Sequence, residues 1–310
     1  MASLSARRAA ATPLLAELGG LARDLHLLFK PGVMQLVLFT GLVALLLAPG
    51  SLHPVLAVTV MLCLAAGSGA AAAINNWYDS DIDRVMLRTR RRPTAAGRIA
   101  PADALGIGVV MAAFSVMVMG LAAGWLAASL LAGTIAFYVL VYTMWLKRRT
   151  PQNIVIGGAA GALPPVVAWA AATGRVDLFP MLLFLVVFLW TPPHFWALAL
   201  YRTSDYGKVG VPMLPVVAGR AATGRQIVLY AAATLVASLL PVATGDLGPA
   251  YGLAALLLGG RFLQLSWRTW RADSDVFANR LFHFSIVYLF ALFGAMLVDR
   301  WLGGLAGAWA

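Results

Sequence analysis

Nine apolar runs, each close to the length needed to cross the hydrocarbon layer of a bilayer, limit what this chain can fold into more than any other feature. They fall at roughly 33–49, 53–74, 103–122, 125–146, 153–172, 178–200, 226–244, 249–270 and 281–301. Pro49-Gly50, Ala123-Gly124, Thr173-Gly174, Gly245 and Gly248-Pro249 separate them, the punctuation expected of tight turns. Backbone groups in lipid have to be satisfied within their own segment, so runs of this length predict helices. The fold class is therefore all-α, a polytopic membrane helical bundle of about nine transmembrane helices. Only 11% of the residues are charged, against about a quarter in a soluble domain.

The distribution of charge supports the same count. With the N-terminus in the cytoplasm, all but three of the 23 lysines and arginines fall in cytoplasmic segments; Arg175 and Arg300 lie outside and Arg261 lies within a span. A net charge of +11 on such a chain reads as topology signal and headgroup contact, with no nucleic-acid partner. Residues 1–32 read as a cytoplasmic segment without a cleavable leader, and 33–310 as the transmembrane domain, with long cytoplasmic connections at 75–102 and 201–225. The alanine-rich style and short N-terminal tail favour a bacterial inner (plasma) membrane protein over a mitochondrial one. The lone Cys63 falls in an apolar run and predicts a packed thiol.

The first long connection opens Asn75-Asn76-Trp77-Tyr78-Asp79-Ser80-Asp81-Ile82-Asp83 and continues into Arg84, Arg88, Arg90, Arg91 and Arg92. At 100° per residue Asn75, Asp79 and Asp83 share one helical face and Asp81 points away. Carboxylates at a helix C-terminus meet the negative end of the dipole and repel one another, a conflict that a divalent cation reverses. Oxygen ligands without histidine or cysteine favour Mg²⁺, which takes carboxylates together with substrate phosphates. Arg88 and Arg92 supply the phosphate-pairing forks. A diphosphate site follows. The bland alternative is a solvated loop with positive-inside arginines.

The second connection carries Arg202, Asp205, Tyr206 and Lys208. Across the bundle from the first motif, Asp205 becomes a candidate metal ligand and Arg202 and Lys208 candidate phosphate contacts. Intramembrane histidines are functional candidates by default, which marks His194 and, less strongly, His283; His26 and His53 read as structural. Arg261 needs a partner. Most tryptophans sit near helix ends, as an interfacial belt requires. Tyr138 and Tyr142, four apart, pack or shield a cation.

These residues resemble the UbiA-type intramembrane prenyltransferases. Asn75 to Asp83 follows the family's Asn-Asp-x-x-Asp-x-x-x-Asp pattern with Asn76 at its second position. Met86-x-Arg88-Thr89-x-x-Arg92-Pro93, Thr191-Pro192-Pro193-His194-Phe195-Trp196 and Gly210-Val211-Pro212-Met213-Leu214-Pro215 are similar to the heme-farnesylating branch. The family's second motif is commonly Asp-x-x-x-Asp; here Tyr201 replaces its first aspartate and Asp205 remains. The resemblance implies Mg²⁺ on Asp79, Asp83 and Asp205 with Asn75 assisting. It implies farnesyl diphosphate and heme B as substrates, with Arg88, Arg92, Arg202, Lys208, Tyr206 and His194 as substrate contacts. Partners implied are the lipid bilayer and a heme A synthase or oxidase assembly factors. Two other readings are a prenyltransferase for an aromatic quinone precursor and a cation-coupled transporter.

Overall fold

The computed structural model of the chain describes residues 17–50, 52–272 and 274–308, all of them helical or in the connections between helices. The first helix is α1 (Glu17–Leu28), bent by 58° from α2 (Pro31–Leu47). There follow α3 (Pro54–Tyr78), α4 (Ser80–Val85), α5 (Pro101–Ala123) and α6 (Trp125–Ala136), the last continuing as a π-helical stretch, Phe137–Leu146. The chain goes on through α7 (Asn153–Ala162), α8 (Pro164–Thr173), α9 (Leu178–Leu200), α10 (Thr203–Lys208), α11 (Leu214–Val217), α12 (Gly219–Ala243), α13 (Pro249–Arg271) and α14 (Asp275–Ala308). Proline opens α2, α3, α5, α8 and α13, where its missing N–H has no intrahelical partner to lose.

Each of the nine apolar runs is helical, but they are not nine equal spans. Among the described residues seven helices, with α6 and its π-helical extension as one and α7–α8 as another, are long and apolar enough to cross a membrane; the bent pair α1–α2, taken as one span, makes an eighth. The expectation of about nine stands beside these seven or eight; α13 has full length but lies outside that set, with Arg261 and Gln264 interrupting its apolar face.

The helices close into a bundle because each packs on the next and the last returns to the first. α3 lies on α5, α12 on α9 and α13, α13 on α14, and α14 comes back to α2. Small residues permit the closest approach: a Cβ on Gly108 of α5 would meet Ile74 Cγ1 at 2.5 Å and Ala70 O at 3.0 Å on α3. Large side chains fill the interior, among them Trp196, Tyr251, Phe262, Tyr288 and Phe293. Leu62, Val110, Leu121, Leu229, Val236 and Leu257 stay exposed, as befits a surface facing acyl chains.

The connections collect at two ends. At one end Leu47, Pro49, Trp169, Asp177, Thr244, Asp246 and Arg300 line a cavity of about 420 Å³. There Asp299 of α14 accepts from the backbone N–H groups of Gly248 (2.6 Å) and Tyr251 (3.0 Å), capping α13 from a neighbouring helix. At the other end stand α1, the 75–102 connection, α10 and α11. Both acidic motifs are found there.

Candidate active site

The first motif begins inside a helix. Asn75 and Asn76 belong to the last turn of α3, and Asp79 is the residue at which α3 stops and α4 starts. Asp83 N still donates to Asp79 O at 2.9 Å, so the four-residue step survives the break. Asn75, Asp79 and Asp83 are all buried, whereas the Asp81 side chain is 61% exposed.

Buried carboxylates need partners, and here cations arrive from three other segments. Lys147 Nζ donates to Asp79 Oδ2, to which Asn75 Nδ2 also donates at 2.8 Å. Lys30 Nζ donates to Asn75 Oδ1. Arg92 Nη1 pairs with Asp83 Oδ2 at 2.6 Å. Arg148 forks onto Asp81 at 2.7 and 2.8 Å and lies 3.6 Å from Asp79 Oδ1. That fork holds the Asp81 carboxyl below the ordinary aspartate range.

Local conformation aims these groups. Lys30 takes a left-handed conformation (φ 53°), which lets the chain turn between α1 and α2 with the side chain directed at Asn75. The π-helical stretch re-phases the segment that carries Thr143 and Lys147: Lys147 N bonds to Tyr142 O five residues back, and Thr143 Oγ1 accepts from Asn75 Nδ2 at 3.1 Å. The long connection is itself tied down by Thr94 Oγ1 donating to Asn76 O, Thr89 Oγ1 donating to Asp83 O, and Arg98 pairing with Asp24 of α1 at 2.9 Å. An arginine-rich loop thus becomes a compact floor.

The second motif sits beside the first. Ile82 and Met86 after Asp79 pack in one small apolar cluster with Tyr206, Ile154, Ala199, Val211 and Met213. This seam seats α10 against α4. Asp205 is buried, yet neither of its carboxylate oxygens has a hydrogen-bond partner. Asp79 Oδ1, Asn76 Oδ1 and Asn153 Oδ1 are likewise buried acceptors without donors. Among the described residues no three His, Cys, Asp or Glu side chains stand close enough to form a ligand cluster; Asp79, Asp83 and Asp205 share one end of the bundle without forming one. Unsatisfied oxygens of this kind suit a hard divalent cation.

The remaining sequence candidates divide. Arg88, Arg202 and Lys208 are exposed at this end; Arg88 lies within electrostatic range of Tyr142 and Tyr201, and Arg202 stacks over the Tyr201 ring at 5.5 Å. Tyr206 is buried in the seam. His194 lies deeper, stacked between Trp190 (4.4 Å) and Phe282 (4.7 Å). Its Nδ1 is 2.6 Å from Ser285 Oγ, and that hydroxyl donates to Phe282 O. Nδ1 therefore carries the proton and Nε2 keeps a free lone pair. His283 is exposed on the outside of the bundle.

Lys30, Lys147 and Asn153 escape a reading by sequence. The two lysines look like topology charges, because their contacts span 45 and 68 residues of separation. The one usable signal is the charge rule itself, which places both on the membrane side that holds the aspartates.

Aspartates and cations thus interlock at one end of a bundle whose helices are long and apolar enough to cross a membrane. The chain belongs to the UbiA prenyltransferase family, whose profile matches residues 37–294. It is 55% identical over 288 residues to a protoheme IX farnesyltransferase of Parvibaculum lavamentivorans, covering 92% of this chain and 91% of that one. It is 53% identical over 303 residues to a protein of the same name from Rhizobium rhizogenes, covering 95% and 94%. Its fold is similar to that of a UbiA homologue from Aeropyrum pernix K1, with a TM-score of 0.71 at 19% identity over 89% of this chain and 98% of that one. It is also similar to a UbiA homologue from Archaeoglobus fulgidus bound to DMAPP and Mg²⁺, with a TM-score of 0.60 at 16% identity over 89% and 99%. Membership of a prenyltransferase family sets aside the transporter reading.

Proposed function

We propose that this protein transfers the farnesyl group of farnesyl diphosphate to a vinyl group of heme B, giving heme O, at the cytoplasmic side of a bacterial inner membrane. The observation that carries the reading is the buried polar assembly at one end of the bundle: Asn75, Asp79 and Asp83 clamped by Lys30, Lys147 and Arg92, beside an Asp205 carboxyl with no partner. Likeness to two protoheme IX farnesyltransferases over more than nine-tenths of the chain supports heme B as the acceptor.

Asp79, Asp83 and Asp205, with Asn75 assisting, would hold Mg²⁺, and the orphaned oxygens fit a hard ion. When bound, Mg²⁺ supplies positive charge that stabilises the departing diphosphate. Arg92 and Lys147 rest on carboxylates and are placed to turn onto phosphate oxygens; Arg88, Arg202 and Lys208 surround the same end as further phosphate contacts. Tyr138 and Tyr142, with ring centroids 5.3 Å apart, flank the approach with π faces suited to an allylic cation. The apolar interior takes the farnesyl chain and excludes water from that cation. The carbon–oxygen bond to diphosphate breaks first to give that cation, and the terminal vinyl carbon of heme then attacks it, forming the carbon–carbon bond and leaving positive charge on the vinyl carbon next to the porphyrin ring. Water then adds to that carbon and loses a proton, completing the hydroxyethylfarnesyl group. His194, with Nε2 free, lines the acceptor pocket.

Incubation of the purified protein with Mg²⁺, farnesyl diphosphate and heme B tests this. A heme product heavier by one farnesyl group plus one water is expected. No product from folded protein, or prenylation of an aromatic acid in its place, would overturn the assignment.

A further inference from the structure

On the outer surface of the bundle, α13 and α14 leave between them an open groove of about 380 Å³ lined by Arg261, Leu265, Asn279, Arg280, His283 and Phe284. It contains two guanidinium groups and no carboxylate. Arg261 donates to the neutral Gln264 Oε1 at 2.5 Å, and Arg280 lies over the Phe277 ring at 5.8 Å. Asp275, at the start of α14, is occupied by Arg220 at 2.7 Å. Two cations lining one groove with no counter-charge among the described residues are unfavourable on a surface that meets lipid. An anion in the groove offsets the repulsion and supplies the missing counter-charge.

The depth of the groove narrows the choice of anion. Arg261 lies ten residues before Arg271, the end of α13, or about 15 Å along the helix. Its bond to Gln264, one turn nearer that end, shows the guanidinium reaching toward the interface. Arg280 enters α14 from the same end, about 8 Å from its start, and Trp267 and Trp270, each 5.7 Å from the Arg271 guanidinium, mark the interfacial level. The groove therefore opens where headgroups give way to acyl chains. Toward mid-membrane it is continued by exposed Leu253, Leu256 and Leu257 of α13 and Val287 of α14, an apolar track.

His283 adds chemical detail. Its Nδ1 is 2.9 Å from the Asn279 carbonyl oxygen, which only accepts, so Nδ1 carries the proton and Nε2 is left as an acceptor. A ligand that matches these groups combines a phosphodiester for Arg261 and Arg280, a hydroxyl for His283 Nε2 and hydrocarbon for the leucine track. We infer that the α13–α14 groove is a binding site for one anionic glycerophospholipid with a hydroxylated headgroup, of the phosphatidylglycerol class.

Native mass spectrometry of the full-length protein, offered phosphatidylglycerol and phosphatidylcholine in equal amounts, tests the site. One phosphatidylglycerol is expected to stay bound in clear preference. Arg261→Gln and Arg280→Gln should each reduce its retention about fivefold, the effect of one basic residue near a charged headgroup, whereas Arg261→Lys should keep most of it. Equal retention of the two lipids by the unaltered protein overturns the inference, and so does full preference in the double glutamine variant. Photo-cross-linking of a phosphatidylglycerol analogue to the unaltered protein needs no variant to fold; labels on residues 257–284 are expected, and labels confined elsewhere overturn the site. Displacement of the lipid by equimolar heme B would assign the guanidinium pair to the acceptor's carboxylates instead. Lipid retention is read without turnover, so this result stands or falls separately from the enzymatic reading.

Discussion

The two acidic motifs meet at one end of the bundle but are electrostatic opposites. In the first, Asp79, Asp81 and Asp83 each have a cation: Lys147, Arg148 and Arg92. In the second, Asp205 is equally buried and has no partner for either oxygen. The charge of the first motif is thus balanced by the chain's own residues, although Asp79 Oδ1 is left without a hydrogen bond. The second is left in debt, since a buried polar group without a hydrogen bond costs about 1–3 kcal/mol. Such an imbalance makes sense where a ligand is to be held: cations that already sit on the carboxylates are ready for phosphate, and the bare carboxyl is ready for metal.

The strongest way to break this contrast is to remove a member of the first motif. Asp79→Ala or Asp83→Ala is expected to lower heme O formation at least about a hundredfold, while detergent-solubilised protein remains folded by circular dichroism. Full Mg²⁺-dependent turnover in either variant would show that the ion-paired carboxylates are structural only. Removal of divalent cations by a chelator should have an effect of the same order on the unaltered enzyme, reversed by adding Mg²⁺. Undiminished turnover under chelation would remove the need for any metal at this end.

A sharper comparison applies one substitution to both motifs. Asp205→Leu replaces an unpartnered carboxyl beside the apolar seam of Tyr206, Ile82 and Met86, so thermal stability without Mg²⁺ should rise by about 1 kcal/mol. Asp83→Leu strands Arg92, whose side chain is only 20% exposed, and stability should fall by about 1–2 kcal/mol. Added Mg²⁺ should raise the midpoint of the unaltered protein more than that of Asp205→Leu. Shifts of the same sign for the two substitutions would mean that Asp205 has a partner in solution and that the contrast is false.

The parts legible from sequence are those with local causes. Apolar runs gave the helices, because in lipid the backbone must satisfy itself. Four-residue spacing placed Asn75, Asp79 and Asp83 on one side and Asp81 on the other. Gly157 shows what was not legible: a Cβ there would meet Tyr142 Cδ2 at 2.2 Å, so a glycine on α7 sets the position of a ring on the π-helical stretch. No periodicity announces such a pairing. Lys30 and Lys147 were hidden for the same reason, since their contacts span 45 and 68 residues of separation.

Asp81 offers the mildest test. Its carboxyl is mostly exposed and forked by Arg148, so the pair contributes about 0.2–1 kcal/mol, as exposed ion pairs do. Arg148 also donates to Tyr78 O at 3.1 Å and stays near Asp79 without Asp81. Asp81→Asn should therefore keep turnover within about threefold, a change near 0.6 kcal/mol. The pH dependence has a definite sign. Arg148 depresses the folded-state pKa below the ordinary 3.8, so the contribution is complete above that value and is lost as pH falls through the lower folded-state value. Chemical denaturation at neutral pH and again near pH 3 should show the gap between unaltered protein and Asp81→Asn shrinking toward zero. A gap that widened on acidification would mean that Asp81 is held by something other than Arg148, and the outer aspartate would then belong with Asp205 rather than with its neighbours in sequence.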